Sequence, residues 1–222
     1  MNILTEDLKK ICDYREQLYI LFSKIFKEEV DRDFWENLRN ANIEMDDFEL
    51  IKNIKELINY VENAKIDKKM IEELAADYAS LFLGIGNHPA HPYESVYLSR
   101  EKIAMREPWC EVMNIYCQEG LAKKDSVKEP EDHIAYELEF MAHICQKVVE
   151  QVERSDNKEV TRLLKTQKDF LENHLLLWLP TFCDDVVNGS RKLEFYKLIA
   201  VILERFIFLD SQYLKRLMDD AM

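Results

Sequence analysis

Paired histidines and carboxylates are the first chemistry this sequence offers. His133 and Glu137 stand one helical turn apart, as do Glu139 and His143, so each pair can put a nitrogen and an oxygen on one face of a helix, a donor set that suits a transition metal. A helical di-iron centre asks for more, namely Glu-x-x-His at i, i+3 on two helices and a further Glu from each of two others. That spacing does not occur here. His133 and His143 would lie about 15 Å apart along a helix axis, too far to share one ion. His88 and His91 are two isolated groups in a loop, and no metal is expected. The phosphate-cradling GxxxxGK[ST], the nucleophile elbow GxSxG, the zinc pair HExxH and the dinucleotide loop GxGxxG are all absent, and no local pattern favours a Ser- or Cys-based nucleophile. The mechanisms those motifs serve have no sequence support, and a helical metal-dependent enzyme is the weaker alternative reading.

A second kind of chemistry is better supplied. Tyr78, Phe82, Tyr93 and Tyr97 lie on or beside the segment Gly84 to Tyr93, and the stretch opening at Pro130 carries Asp132, His133, Tyr136 and Glu137 off its apolar stripe. Aromatic rings with polar tips beside carboxylates suit capture of a peptide that is part apolar and part cationic. The structural reading of the same residues is equally open: Leu81 and Phe82 finish a core helix, and Asp132 caps or charges a helix start.

The elements that must position these groups are helices. Only four glycines and five prolines occur in 222 residues, too few for the turns of a sandwich or barrel or for a dinucleotide-binding sheet. Apolar residues at helical spacing mark Leu4 to about Lys27, a short stretch around Trp35, Phe48 to Val61 with Asp46 or Asp47 as cap, Lys68 to Phe82, and Trp109 to Cys117 ending near Gly120. Ile134 to Val152 follows, with Pro130, Glu131 and Asp132 in its first turn. Val160 to Leu175 is next, interrupted before Pro180, and Phe195 to Leu217 comes last. The expectation is an all-α, single bundle-like domain over residues 1–222 with about eight helices and one Gly/Pro-rich loop near 84–93. No linker, repeat or low-complexity tract divides it.

Composition narrows the partners. Against 30 Lys and Arg stand 43 Asp and Glu, a formal charge of −13, which argues against nucleic acid and is compatible with a cationic partner. The N-terminus lacks the apolar core of a secretory signal. The apolar run Leu175 to Cys183 is far short of the ~20 residues that span a bilayer, so a cytoplasmic protein without membrane insertion is expected. Five cysteines with no CxxC indicate neither a disulfide framework nor a zinc ribbon, and most are expected in the core.

Three segments resemble one family. Residues 129–141 read EPEDHIAYELEFM, the EPxDHxxxELxFM signature of the TorD/DmsD chaperones for molybdenum-containing redox enzymes. Asp77 to Gly84 followed by Pro92 to Leu98 resembles its LFxG ending and P-[WY]-x-S-x-[WY] motif, and His174 to Trp178 is similar to its HxxxW segment. The resemblance implies a helical, non-catalytic, cytosolic chaperone without a cofactor of its own. It would recognise the twin-arginine signal peptide of an apo-oxidoreductase and assist insertion of that client's molybdopterin cofactor before Tat export. Carried over by position, the peptide-binding candidates are Tyr78, Leu81, Phe82, Tyr93, Tyr97, Pro130, Asp132 and His133, with Phe22 as a looser addition.

On this reading Asp132 and Glu137 would take the arginines while the aromatics and Leu81 cover the apolar run. The loop departs from the pattern in lacking a proline after Gly84 and in carrying tyrosine where tryptophan is common at 93 and 97, which bears on which leader fits. Guanine-nucleotide binding, associated with some relatives, has no phosphate-binding motif behind it here. The alternative of another class is a helical adaptor for an unrelated protein.

Overall fold

The computed structural model describes residues 3–40, 48–124, 127–190 and 192–219. Helices are α1 (Ile3–Lys27), α2 (Arg32–Arg39), α3 (Phe48–Asn63), α4 (Lys68–Phe82), α5 (Glu94–Leu98), α6 (Glu107–Gln118), α7 (Ile134–Glu153), α8 (Asn157–Phe170), α9 (Leu176–Gly189) and α10 (Phe195–Asp219). A π-helical turn, Leu171–Leu175, joins α8 to α9. The fold is all-α, and no strand occurs among the described residues beyond an isolated bridge between Tyr93 and His133.

Three details differ from the sequence reading. The short helix α5 has no periodicity to announce it, because five residues make little more than one turn. The interruption expected before Pro180 is the π turn upstream; the helix then runs through Pro180 to Gly189. Helix α7 starts at Ile134 with His133 as its cap, so Pro130 and Asp132 belong to the turn before it. The proposed caps Asp46 and Asp47 lie outside the described residues.

The chain groups into two compact units. The first takes Met1–Lys24, Tyr93–Trp178 and Phe208–Met222, and the second takes Ile25–Pro92 and Leu179–Ile207. Each is assembled from segments far apart in sequence, an arrangement that needs no Gly/Ser/Pro-rich linker.

In the first unit α7 is the central element, with Ile134, Leu138, Met141, Cys145, Val148 and Val152 all buried. Its stripe packs on α8 through Val160, Leu163, Leu164 and Phe170. Polar staples hold its flanks. Arg15 of α1 donates to both oxygens of Asp210 on α10 at 2.5 and 2.8 Å and to Gln167 of α8 at 2.9 Å, while Gln167 donates to the Met141 carbonyl at 3.1 Å. A buried ion pair repays its desolvation only when its remaining polar groups are also bonded, as here. At the end of α6, Glu119 accepts two bonds from Arg162 at 2.5 and 2.9 Å.

The second unit is built on aromatics. Phe26 packs edge-on against Phe82 and Phe182, as does Tyr78 against Phe82, and the Trp35 and Phe195 rings meet at a tilt. Its loop folds back on α4: Gly84 takes the left-handed φ of +71° that ends the helix, Gly86 N–H donates to the Ser80 carbonyl and Ala90 N–H to the Leu81 carbonyl. Asp31 and Asp67 cap α2 and α4 through Phe34 N–H and Met70 N–H. Cys12, Cys145 and Cys183 are buried, whereas Cys110 and Cys117 are exposed on α6.

Candidate functional site

The signature segment and α5 meet in the first unit, and backbone chemistry brings them together. Tyr93 and His133 form an antiparallel bridge, and Glu94 N–H donates to the Asp132 carbonyl at 3.0 Å. A helix leaves its first N–H groups unsatisfied, and Tyr93 at the cap of α5 supplies no side-chain acceptor. Asp132 supplies one from across the bridge. Its Oδ2 accepts from Ser95 N–H at 2.9 Å and from the Ser95 hydroxyl at 2.5 Å. His133 turns inward in the same way for its own helix, with Nδ1 accepting from Ala135 N–H at 3.1 Å.

Beneath this junction lies a buried acid cluster. Glu94, Asp132 and Glu137 are all buried. His174, in the π turn, places Nδ1 at 2.9 and 3.1 Å from the two Glu94 oxygens, and the Trp178 indole donates to Glu137 Oε2 at 3.1 Å. Burial, then the neighbouring Glu94 and Asp132, push the Glu137 carboxyl well above the usual range. Asp132 is raised too, chiefly by burial, against the opposing pull of its Ser95 bonds. Asp132 Oδ1 has no hydrogen-bond partner.

The groups above the cluster are accessible. Tyr93 is half-buried, its ring edge-on to His133 at 5.2 Å and its hydroxyl donating to the exposed Glu129 at 2.5 Å. Tyr97, also half-buried, lies 5.5 Å from the Trp178 ring. Glu131 accepts from the Trp109 indole at 2.5 Å, which helps hold its carboxyl below the ordinary value although burial pushes the other way. Beside it, Met113, Tyr116, Cys117, Leu121, Lys123 and Glu131 line an open pocket of about 480 Å³.

The structure thus brings together Tyr93, Tyr97, Asp132, His133 and Glu137 in the first unit, with Pro130 half-buried in the turn that leads to them. Tyr78, Leu81 and Phe82 belong to the second unit and are buried, the Tyr78 hydroxyl donating to the Phe26 carbonyl at 3.0 Å. Phe22 is buried in the first unit. Glu94, Ser95, Glu129, His174 and Trp178 were not among the candidates, although Ser95, Glu129, His174 and Trp178 occupy fixed positions of the quoted motifs. Among the described residues no group of three or more His, Cys, Asp and Glu could hold a metal ion; His133 and Glu137 are each engaged elsewhere. No helix among the described residues is long and apolar enough to cross a membrane.

The all-helical scaffold is the one that the resemblance to the TorD/DmsD chaperones implied. Comparison with known proteins agrees. The nitrate reductase delta subunit family model matches residues 44–184, and the chain belongs to that family. It is similar to the chaperone protein TorD of Vibrio atlanticus, 27% identical over 94% of this chain and 98% of the relative. It is similar also to that of Vibrio cholerae, 26% identical over 98% and 100%. A crystal structure of a redox enzyme maturation protein from Archaeoglobus fulgidus is similar with a TM-score of 0.52, 26% identity and coverage of 87% and 93%.

Proposed function

We propose that this chain is a cytoplasmic chaperone that binds the twin-arginine leader of an apo-molybdoenzyme and holds that client while its molybdopterin cofactor is inserted, before export by the Tat pathway. The observation that carries the reading is the junction of α5 with the signature. Tyr93 and Tyr97 are half-exposed on a helix whose start is tied down by Asp132, with the exposed carboxylate of Glu129 on the Tyr93 hydroxyl. Rigid aromatics of this kind anchor the apolar part of a peptide at low entropic cost. Glu129 keeps an oxygen for a guanidinium, which forms strong charge-assisted bonds to carboxylates.

The chain needs no cofactor or metal for this task, and its charge of −13 favours encounter with a cationic leader. An exposed ion pair contributes under about 1 kcal/mol, so affinity rests on the aromatics and selectivity on the charges.

The test is titration of a labelled twin-arginine peptide into purified protein by fluorescence anisotropy. Tyr93→Ala and Tyr97→Ala should each weaken binding by about 2 kcal/mol, roughly 30-fold, with the far-UV helical spectrum unchanged. Replacing both peptide arginines by alanine should weaken it further at low salt than at high salt. Failure of the wild-type protein to bind the peptide, or wild-type affinity in both tyrosine variants, would overturn the proposal.

A further inference from the structure

The signature aspartate is the residue that sequence reasoning aims at the leader's arginines, yet its side chain is wholly buried and its bonded oxygen is occupied by Ser95. The Ser95 hydroxyl passes the connection on. While donating to Asp132 it accepts from Met105 N–H at 3.0 Å, which fixes the far end of the loop between α5 and α6. Two further bonds tie the same loop: Ser99 donates to the Ile103 carbonyl at 3.3 Å, and the Lys102 ammonium donates to the Tyr97 carbonyl.

This loop is held in an uncommon shape. Lys102 and Met105 take left-handed φ values of 56° and 61°, a region that residues with a Cβ rarely occupy and keep only where the surroundings over-determine it. The loop and the end of α5 also carry Leu98, Ile103 and Met105, which are 36%, 45% and 52% exposed. These large apolar side chains, on or beside a strained loop that is wired to a buried carboxylate, leave a third to a half of their surface open to solvent.

Resting on the leader-binding reading above, we infer that Asp132 and Ser95 are positioning residues: they shape the loop 99–105 so that Leu98, Ile103 and Met105 meet the apolar run of the leader, continuing the surface of Tyr97. Asp132 makes no contact with the leader's arginines.

Conservative replacement separates the two roles. Asn at 132 keeps an oxygen for both Ser95 bonds and loses the charge, with its amide NH2 in place of the unbonded Oδ1. In the peptide titration, Asp132→Ala should lose about tenfold or more in affinity, and Asp132→Asn should restore most of it. Ser95→Ala should weaken binding comparably and speed tryptic cleavage at Arg100, Lys102 and Arg106, followed by mass spectrometry. The exposed pair Ile103→Ser/Met105→Ser should weaken binding without shifting the unfolding midpoint, and adding Ser95→Ala to it should cost little more, because coupled groups are not additive.

Equal loss in Asp132→Asn and Asp132→Ala with unchanged loop proteolysis would overturn the inference in favour of a direct cation contact, as would wild-type affinity in the Ile103/Met105 variant. If wild type fails to bind the peptide at all, it is the leader-binding reading that has failed. If Tyr93→Ala weakens binding while the loop variants do not, that reading stands and only the inference falls.

Discussion

Trp178 donates its indole N–H to Glu137 at 3.1 Å, joining the end of the HxxxW segment to the third fixed carboxylate of the signature. The two residues are 41 positions apart in the chain and both fully buried. The pair closes a buried cluster in which Glu94 and Asp132 lie close enough to act on Glu137, and Glu94 faces the His174 imidazole.

The crowding sets a pH dependence. Burial and Glu94 raise the Glu137 carboxyl, so between the ordinary carboxylate range and the raised folded value the native protein holds a proton that the unfolded chain has released. Stability from this group is full at low pH and is lost as pH rises toward the folded value. Glu137→Gln still accepts from Trp178 but carries no such proton. Urea unfolding at about pH 5 and pH 8 should show the variant gaining on wild type as pH rises; a constant difference would mean that Glu137 is ionised throughout.

Glu119 has the opposite sign. Hydrogen bonds from Arg162, with Lys147 close by, hold its carboxylate below the usual value against the effect of burial. Its contribution is present above the unfolded pKa and disappears as pH falls through the lower folded one. Glu119→Gln should therefore be less stable than wild type at neutral pH, with the deficit closing in acid, as read from thermal midpoints across that range.

Asp210→Ala strands Arg15 in the core. With its bidentate partner gone and the guanidinium still buried, the expected loss is about 3–5 kcal/mol in urea denaturation. The double variant Arg15→Met/Asp210→Leu should be more stable than Asp210→Ala alone, because it removes the charge that the single change leaves unpaired.

Gly189 is fixed by close approach, not by an unusual φ. A Cβ there would come within 2.6 Å of the His88 carbonyl oxygen and 2.8 Å of a Leu81 methyl. Gly189→Ala must move the backbone of the 84–92 loop and should cost about 1–3 kcal/mol. Gly120, at the end of α6 with φ +76° and open space around it, should lose only about 1 kcal/mol on the same change. Parallel denaturation of the two variants tests the contrast.

Helical spacing at Ile134, Leu138, Met141, Cys145, Val148 and Val152 was enough to find α7, because a long amphipathic stripe is a local property of the chain. The scarcity of glycine and proline was likewise enough for the all-α class. The start of α7 was not legible. Pro130 and two acids look like a first turn, yet His133 takes the cap, since the preceding backbone is committed to the bridge with Tyr93. Helix α5 was invisible for a related reason: its N-terminal N–H at Ser95 is satisfied by an aspartate 37 residues away, and no local pattern encodes such a partner.

The sequence by itself determined the helical class, the order of the long helices, the acidic balance and the family, all of which depend on composition, period and short motifs. Only tertiary structure decided what the motif residues do. Tyr78, Leu81 and Phe82 read equally as an amphipathic edge or as the end of a core helix, and their rings and methyls are consumed in the aromatic core of the second unit. Asp132 reads either as a helix cap or, with Glu137, as a partner for cations, but both are buried and accept from residues distant in sequence, Ser95 and Trp178. Burial and hydrogen-bond partnership belong to residues brought together across the fold, and spacing along the chain carries no record of them.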